Sequence, residues 1–424
     1  MKKRKKIILG SITGALALAL AGGGFWAYKT FVPQETPIDK NATVASNFYQ
    51  AVNKDWLLKA KIPADSPSID NFYTLGEDIK GKLKKDIKNL GEGKETSDIT
   101  GMSEFITFYK AASNYKQREK DGLEPLKPYL KEIEDIKDVN DLASKSASLT
   151  DKGIPLPFGY DVGTNAENTS QKQIQLSPPS ILLPDVSIYK DEASKKQYLT
   201  PIETATQKAL EMLGYSEKNS KRIVKEALEF DEIIAKYSLS NEEMSESKNL
   251  VHPKTAEEIN DYSGSFKLYD VIKGIMGRDL DTINVPNTKY FENYSKIVNQ
   301  DNFSKIKSWI LVQEAMAASN SLTEDYRLNF ASISMAIMGT QKPISKEDTV
   351  YEMSVNLFSD VMSVYYGRKY FGEEAKTDVT GMIDKIKNVY RGRLQQNDWL
   401  TEGTRNKAIE KLDKMKVFVG YQED

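Results

Sequence analysis

The chain has 424 residues, 39 % hydrophobic and 28 % charged, a balance that suits a globular body with a substantial buried core. Lys and Arg total 59 against 61 Asp and Glu, a formal charge of −2, so no global field draws the protein to nucleic acid or to an acidic surface. With no cysteine, disulfides, thiolate nucleophiles and Cys-based metal sites are excluded, and only one histidine is available to any site.

The amino terminus reads as a membrane anchor. Lys2, Lys3, Arg4, Lys5 and Lys6 precede an uncharged apolar run from Ile7 to Tyr28, close to the ~20 residues a helix needs to cross the hydrocarbon layer. The basic cluster predicts an inside amino terminus and an extracellular body, with Phe25, Trp26 and Tyr28 at the interface. A cleaved signal peptide ending at Ala19-Leu20-Ala21 is the competing reading, but the apolar stretch continues past Ala21. Residues 1–29 are therefore assigned to a cytoplasmic tip and transmembrane helix, and residues 30–45, polar with Pro33 and Pro37, to a linker. The body spans 46–424.

In the body, Phe48, Val52, Trp56 and Ala60 fall four apart and share one helical face, with Asn47 as N-cap and Ile62-Pro63 as the stop. A second helix is predicted from near Ser68, carrying Phe72, Leu75, Ile79, Leu83, Ile87 and Leu90 at three- and four-residue steps. Its Lys82, Lys84, Lys85 and Lys88 form a wet face rather than a nucleic-acid stripe. Helices are predicted at about 102–118, 123–135, 139–149, 194–214 and 217–237. Between them, Phe158, Tyr160 and Val162 alternate, as do Ile174 and Leu176, around a turn-rich centre with Gly163, Asn165 and Asn168, which predicts a β-hairpin. Further helices are predicted near 255–261, 266–275, 301–319, 323–340, 346–372, 377–396 and 402–416, with Ser345 and Asp348 opening the long one. The fold class is mainly α with one small β-hairpin insertion.

Candidate site residues are few. His252 precedes Pro253, which pushes it out of helical geometry, and it reads as a loop histidine. Catalytic zinc usually draws on two or three imidazoles, so His252 has no partner to make such a site. Glu374 and Asp378 fit an E-x-x-x-D spacing, but in a chain with 61 acidic residues such a pair reads as a solvated element. Glu242, Glu243 and Glu246 likewise read as solvent-facing. No catalytic or metal-binding residue is assigned, and substrate-binding residues are left unknown.

Four stretches carry a resemblance. Asn47-Phe48-Tyr49-Gln50-Ala51-Val52-Asn53-Lys54-Asp55-Trp56-Leu57 with Ile62-Pro63-Ala64-Asp65 is similar to the opening "DFYxYVNGxWL…IPxD" of the neprilysin family, M13, in its bacterial oligo-endopeptidase branch. Gly122-Leu123-Glu124-Pro125-Leu126 resembles its "GxxPLxPLL", and Leu183-Pro184-Asp185 with Tyr189 its "LPDxxYY". Trp399-Leu400-Thr401, Thr404-Arg405, Ala408, Lys411-Leu412, Met415 and Gly420-Tyr421 resemble its "W(L/M)…TrxxAxxKLxxMxxxIGYP".

The resemblance implies the amino-terminal helical cap of a membrane-anchored zinc endopeptidase that acts on short peptides. It also marks a departure. In the family the zinc sits in a later lobe with HExxH, two His four apart on one helical face and a Glu that activates water. One histidine cannot make that motif. At the positions where mammalian neprilysin holds substrate carboxylates with arginines, Ser68 and Gly76 stand here. The expectation is thus a truncated or split M13 peptidase, inactive alone, with no cofactor in this chain and a catalytic lobe encoded separately. A surface-displayed, non-catalytic binding module derived from the cap is the alternative. In a true fragment, Met335, Ile337, Met338, Phe358, Met362 and Tyr366 are expected to supply an uncovered apolar surface.

Overall fold

A computed structural model describes residues 38–421. The expected transmembrane run 7–28 lies outside them; among the described residues no helix is long and apolar enough to cross a membrane. The chain divides into two compact units. One takes residues 115–344 with the stretch up to Ile69, and the other takes Asp70–Asn114 with residues from Ser345 onward.

The first unit is helical around one large core. Its centre is the Glu217–Tyr237 helix packed on Phe303–Ala317 and Glu192–Met212. Phe230, Ile234, Ile306, Trp309 and Ile310 are fully buried there, with Phe230 edge-on to Trp309 at 5.8 Å. The 217–237 helix has the predicted bounds because Ser216 caps it and its apolar residues recur on one face. A second focus is aromatic: Phe266, Tyr290, Phe291 and Tyr294 meet with centroids 5.1 to 6.1 Å apart.

The predicted hairpin is present as β1 (Gly159–Thr164) and β2 (Lys172–Ser177), paired antiparallel from Gly159↔Ser177 to Thr164↔Lys172. Phe158, Ile174 and Leu176 enter the core while Val162, nearer the tip, is exposed. Two more strands, β3 (Pro253–Lys254) and β4 (Ile283–Asn284), complete a sheet of order β1-β2-β4-β3. Two residues per strand are too few to leave a period-two pattern in the sequence.

The opening helix runs Phe48–Leu57, capped by Asn47, whose side chain accepts from the Gln50 N–H at 3.0 Å. It stops short of Ile62-Pro63 and leaves Ala60 outside. Its apolar face is uncovered among the described residues, with Phe48 66 % and Val52 60 % exposed. Gln50, on another side, is buried and accepts from the Asp39 N–H.

The second unit corrects several expected bounds. The helix expected from Ser68 starts at Asn71, because Asp70 caps it by accepting from Tyr73 N–H at 2.6 Å. The helix expected over 102–118 breaks at Ser113–Asn114, where the chain passes into the first unit, and resumes as Tyr115–Asp121. The single helix expected over 346–372 is three pieces. Lys346–Leu357, capped by Ser345, ends at Phe358, which leaves helical geometry. Ser359–Tyr366 follows, and then a π turn, Gly367–Phe371, closed by Gly372 at φ +74°. That glycine, which adopts positive φ without a Cβ clash, starts a 24-residue helix, Gly372–Gln395, five residues before the expected position. Glu402–Asp413 is the last helix among the described residues, and the apolar Val417-Phe418-Val419 run after it forms no strand. The core of this unit is smaller and joins Leu83, Ile87, Phe105, Met362 and Tyr365.

Candidate functional site

His252 sits on the extended segment entering β3. Its N–H donates to Asn284 Oδ1 at 2.7 Å and its carbonyl accepts from Val285 N–H at 3.0 Å, so its backbone belongs to the sheet edge. Its Nε2 is buried without a hydrogen-bond partner. Among the described residues no group of three or more His, Cys, Asp or Glu could hold a metal ion, so the donor set does not fit zinc.

The other residues singled out from sequence scatter over the surface. Glu374 and Asp378 are exposed, one turn apart on the Gly372–Gln395 helix. Glu243 closes a capping box with Ser240, whose N–H and hydroxyl hold its carboxylate below the ordinary range. Glu242 and Glu246 are exposed beside it. Lys82, Lys85 and Lys88 face water, whereas Lys84 is half-buried and pairs with Asp348. Ser68 is exposed, and a side chain at Gly76 would meet nothing within 4 Å. Met362 is core; Met335, Ile337, Phe358 and Tyr366 are half-buried, and only Met338 of that set is exposed. That set therefore does not form the expected apolar surface.

One densely bonded, buried polar group is Asp231, which sequence reasoning missed. It is fully buried on the 217–237 helix and accepts from Trp309 Nε1 at 2.9 Å, from Leu182 N–H at 3.0 Å and from the Tyr189 hydroxyl. Burial pushes its carboxyl up to about 6, against the pull of those donors. Tyr189 is pushed well above the ordinary phenol range by its own burial and by Asp231. The signal was available: Asp231 lies four residues after Ala227 and one after Phe230, inside the apolar stripe. Every bond ties one segment of the first unit to another, and no free face remains for a ligand.

A surface cavity of about 250 Å3 opens among Glu134, Tyr215, Arg222 and Lys307. Its polar groups are already paired. Tyr215 donates to Glu134 at 2.7 Å, Arg222 pairs with Glu226 at 2.7 Å, and Lys307 donates to the carbonyls of Glu134 and Ile136.

What stands out chemically is uncovered apolar surface in both units. In the second, Met382, Ile386, Val389 and Tyr390 recur at helical spacing along Gly372–Gln395 and are 48 to 60 % exposed. Trp399, Met415 and Phe418 in the same unit are exposed as well. In the first, Phe48, Tyr49 and Val52 do the same on the opening helix. Soluble surfaces rarely carry such stripes unless something packs on them.

Residues 44–422 match peptidase family M13. A neutral endopeptidase of Lactobacillus helveticus is 32 % identical over 91 % of this chain and 60 % of its own length. Another, from Lactococcus lactis subsp. lactis, is 30 % identical over 90 % of this chain and again 60 % of its own. The chain thus spans about 60 % of the length of these two curated relatives. The crystal structure of PEPO from Lactobacillus rhamnosis HN001 superposes with a TM-score of 0.83 at 25 % identity, covering 90 % of this chain and 60 % of that one. The Mycobacterium tuberculosis zinc metalloprotease ZMP1, in complex with an inhibitor, shares the fold with a TM-score of 0.77 at 19 % identity, over 89 % of this chain and 57 % of that one. This chain belongs to peptidase family M13.

Proposed function

We propose that these 424 residues are the non-catalytic, amino-terminal part of a neprilysin-like endopeptidase for short peptides, held at the cell membrane through residues 7–28 with the body outside. The zinc and the groups that activate water then come from polypeptide outside these residues, joined to the chain or supplied separately. The observation that carries the reading is the M13 match over 44–422 in a chain with a single histidine. Two imidazoles cannot be drawn from one, so no HExxH is present in these residues. The uncovered stripes support the same reading, since a surface that covers a catalytic lobe is apolar on that side.

An adapted binding module predicts the opposite, a surface turned polar once nothing packs on it. Ile386, Val389, Trp399 and Phe418 speak against that alternative.

The test is direct. The purified chain is expected to cleave no peptide and to retain no stoichiometric zinc after dialysis. Mixed with a separately produced M13 catalytic lobe, it is expected to form a complex that masks the stripes. Chelator-sensitive hydrolysis by the chain by itself would overturn the proposal.

A further inference from the structure

The π turn Gly367–Phe371 has one side chain after another committed to a different segment of the second unit. Lys369 Nζ reaches Asp86 Oδ1 at 2.9 Å, Glu95 Oε2 at 2.8 Å and the Tyr365 hydroxyl at 2.9 Å. Tyr370 donates its hydroxyl to the other oxygen of Asp86 at 2.6 Å. Asp86 is buried in the Asn71–Gly91 helix, so Lys369 and Tyr370 fasten the turn to that helix. Burial by itself would lower the Lys369 ammonium, but Glu95, Tyr365 and Asp86 outweigh it and hold the charge above the ordinary lysine range.

The flanking residues of the turn face the tail of the described chain. Gly367 is buried, and a Cβ there would fall 2.2 Å from Cδ1 of Tyr421. The converse contact exists at the neighbouring position: a Cβ on Gly420, at φ +75°, would fall 2.6 Å from Cε1 of Phe371. Each glycine therefore receives the aromatic ring carried by the other strand of the contact. Glu373 accepts from the Tyr421 hydroxyl, and Lys376 Nζ stands 4.7 Å from the centre of the Tyr421 ring.

A π turn is a helix with one residue too many, and it persists only where its surroundings hold it open. Tightened to α geometry, the residues after the change would rotate by about 100°. Lys369 and Tyr370 would then leave Asp86. We propose that the π turn is a coupling element: seating Gly420-Tyr421 against Gly367 and Phe371 holds the turn open, and the open turn is what places Lys369 and Tyr370 on Asp86. Release of the tail is thereby transmitted to the Asn71–Gly91 helix through a two-state element rather than through a chain of loose contacts.

Hydrogen exchange on the full chain tests the coupling. Tyr421→Ala is expected to speed amide exchange at least about tenfold in three places together, residues 417–421, the π turn and the helix around Asp86. Peptides from Glu217–Tyr237, in the other unit, should not change. Lys369→Met is expected to loosen the tail in return, because coupling is reciprocal. Tyr421→Phe keeps the ring and should leave all three places near the parent rates. Gly367→Ala is the harsher variant; if it also exposes Glu217–Tyr237 it has unfolded the chain, and Tyr421→Ala carries the test. Faster exchange confined to 417–421 in Tyr421→Ala would overturn the proposal. So would a Tyr421→Phe chain that behaves like Tyr421→Ala.

Discussion

The Phe303–Ala317 helix buries nine of its 15 residues, whereas the Gly372–Gln395 helix buries none of its 24. Both carry apolar residues at helical spacing, so the difference does not lie in the local code. It lies in what each helix has to pack against. The first is enclosed by Glu217–Tyr237 and Glu192–Met212, while the second meets Glu402–Asp413 along one side and presents Met382, Ile386, Val389 and Tyr390 on another. An amphipathic pattern states that a partner exists; it does not state that the partner is within the same stretch of chain.

The contrast can be broken by mutation. Trp309→Ala, in the enclosed helix, is expected to cost about 3–5 kcal/mol in urea unfolding, because it empties a fully buried site beside Phe230 and strips Asp231 of a donor. Ile386→Ala on the uncovered helix should stay within roughly 0.5 kcal/mol. Equal losses at the two positions would mean that the second helix is enclosed after all.

Asp231 sharpens the account of the enclosed side. Its carboxyl, raised in the folded protein to about 6, favours the protonated form in the fold. The associated stability is complete below the usual carboxylate range and is lost as pH rises through about 6. Unfolding curves between pH 4 and pH 7 should therefore show a loss of roughly 2 kcal/mol in the parent that Asp231→Asn lacks. A parent and variant with parallel pH profiles would remove burial as the dominant influence on Asp231.

The uncovered side responds in solubility rather than in stability. Changing Met382, Ile386 and Val389 together to Gln should shift the chain from self-association toward monomer in sedimentation, with the unfolding midpoint scarcely moved. Smallest of all is Arg391→Ala. It removes the half-exposed pair with Asp413 and should leave the unfolding midpoint unmoved in the same assay.

The helices of this fold were largely legible in the sequence because period and capping agree. Asn47, Ser216 and Ser345 each stand where an N-cap was read or where a predicted helix opens. The failures share a cause. The break at Phe358, the π turn at Gly367 and the two-residue strands β3 and β4 are set by distant contacts such as Tyr370 with Asp86, which no local window contains. The candidate site divides in the same way. His252 was readable as a loop residue, but the burial of Asp231 and the exposure of Phe48 depend on which neighbours the fold supplies.

The second unit is made from two stretches separated by the whole of 115–344. During synthesis Asp70–Asn114 emerges first and must wait, its Leu83, Ile87 and Phe105 without the Met362 and Tyr365 that later enclose them. Loop closure over so long an insert is slow, and exposed apolar side chains in the interval are a hazard for aggregation. Early folding of the inserted stretch, which brings the two ends of the gap to a fixed separation, is then a kinetic requirement for the unit that flanks it.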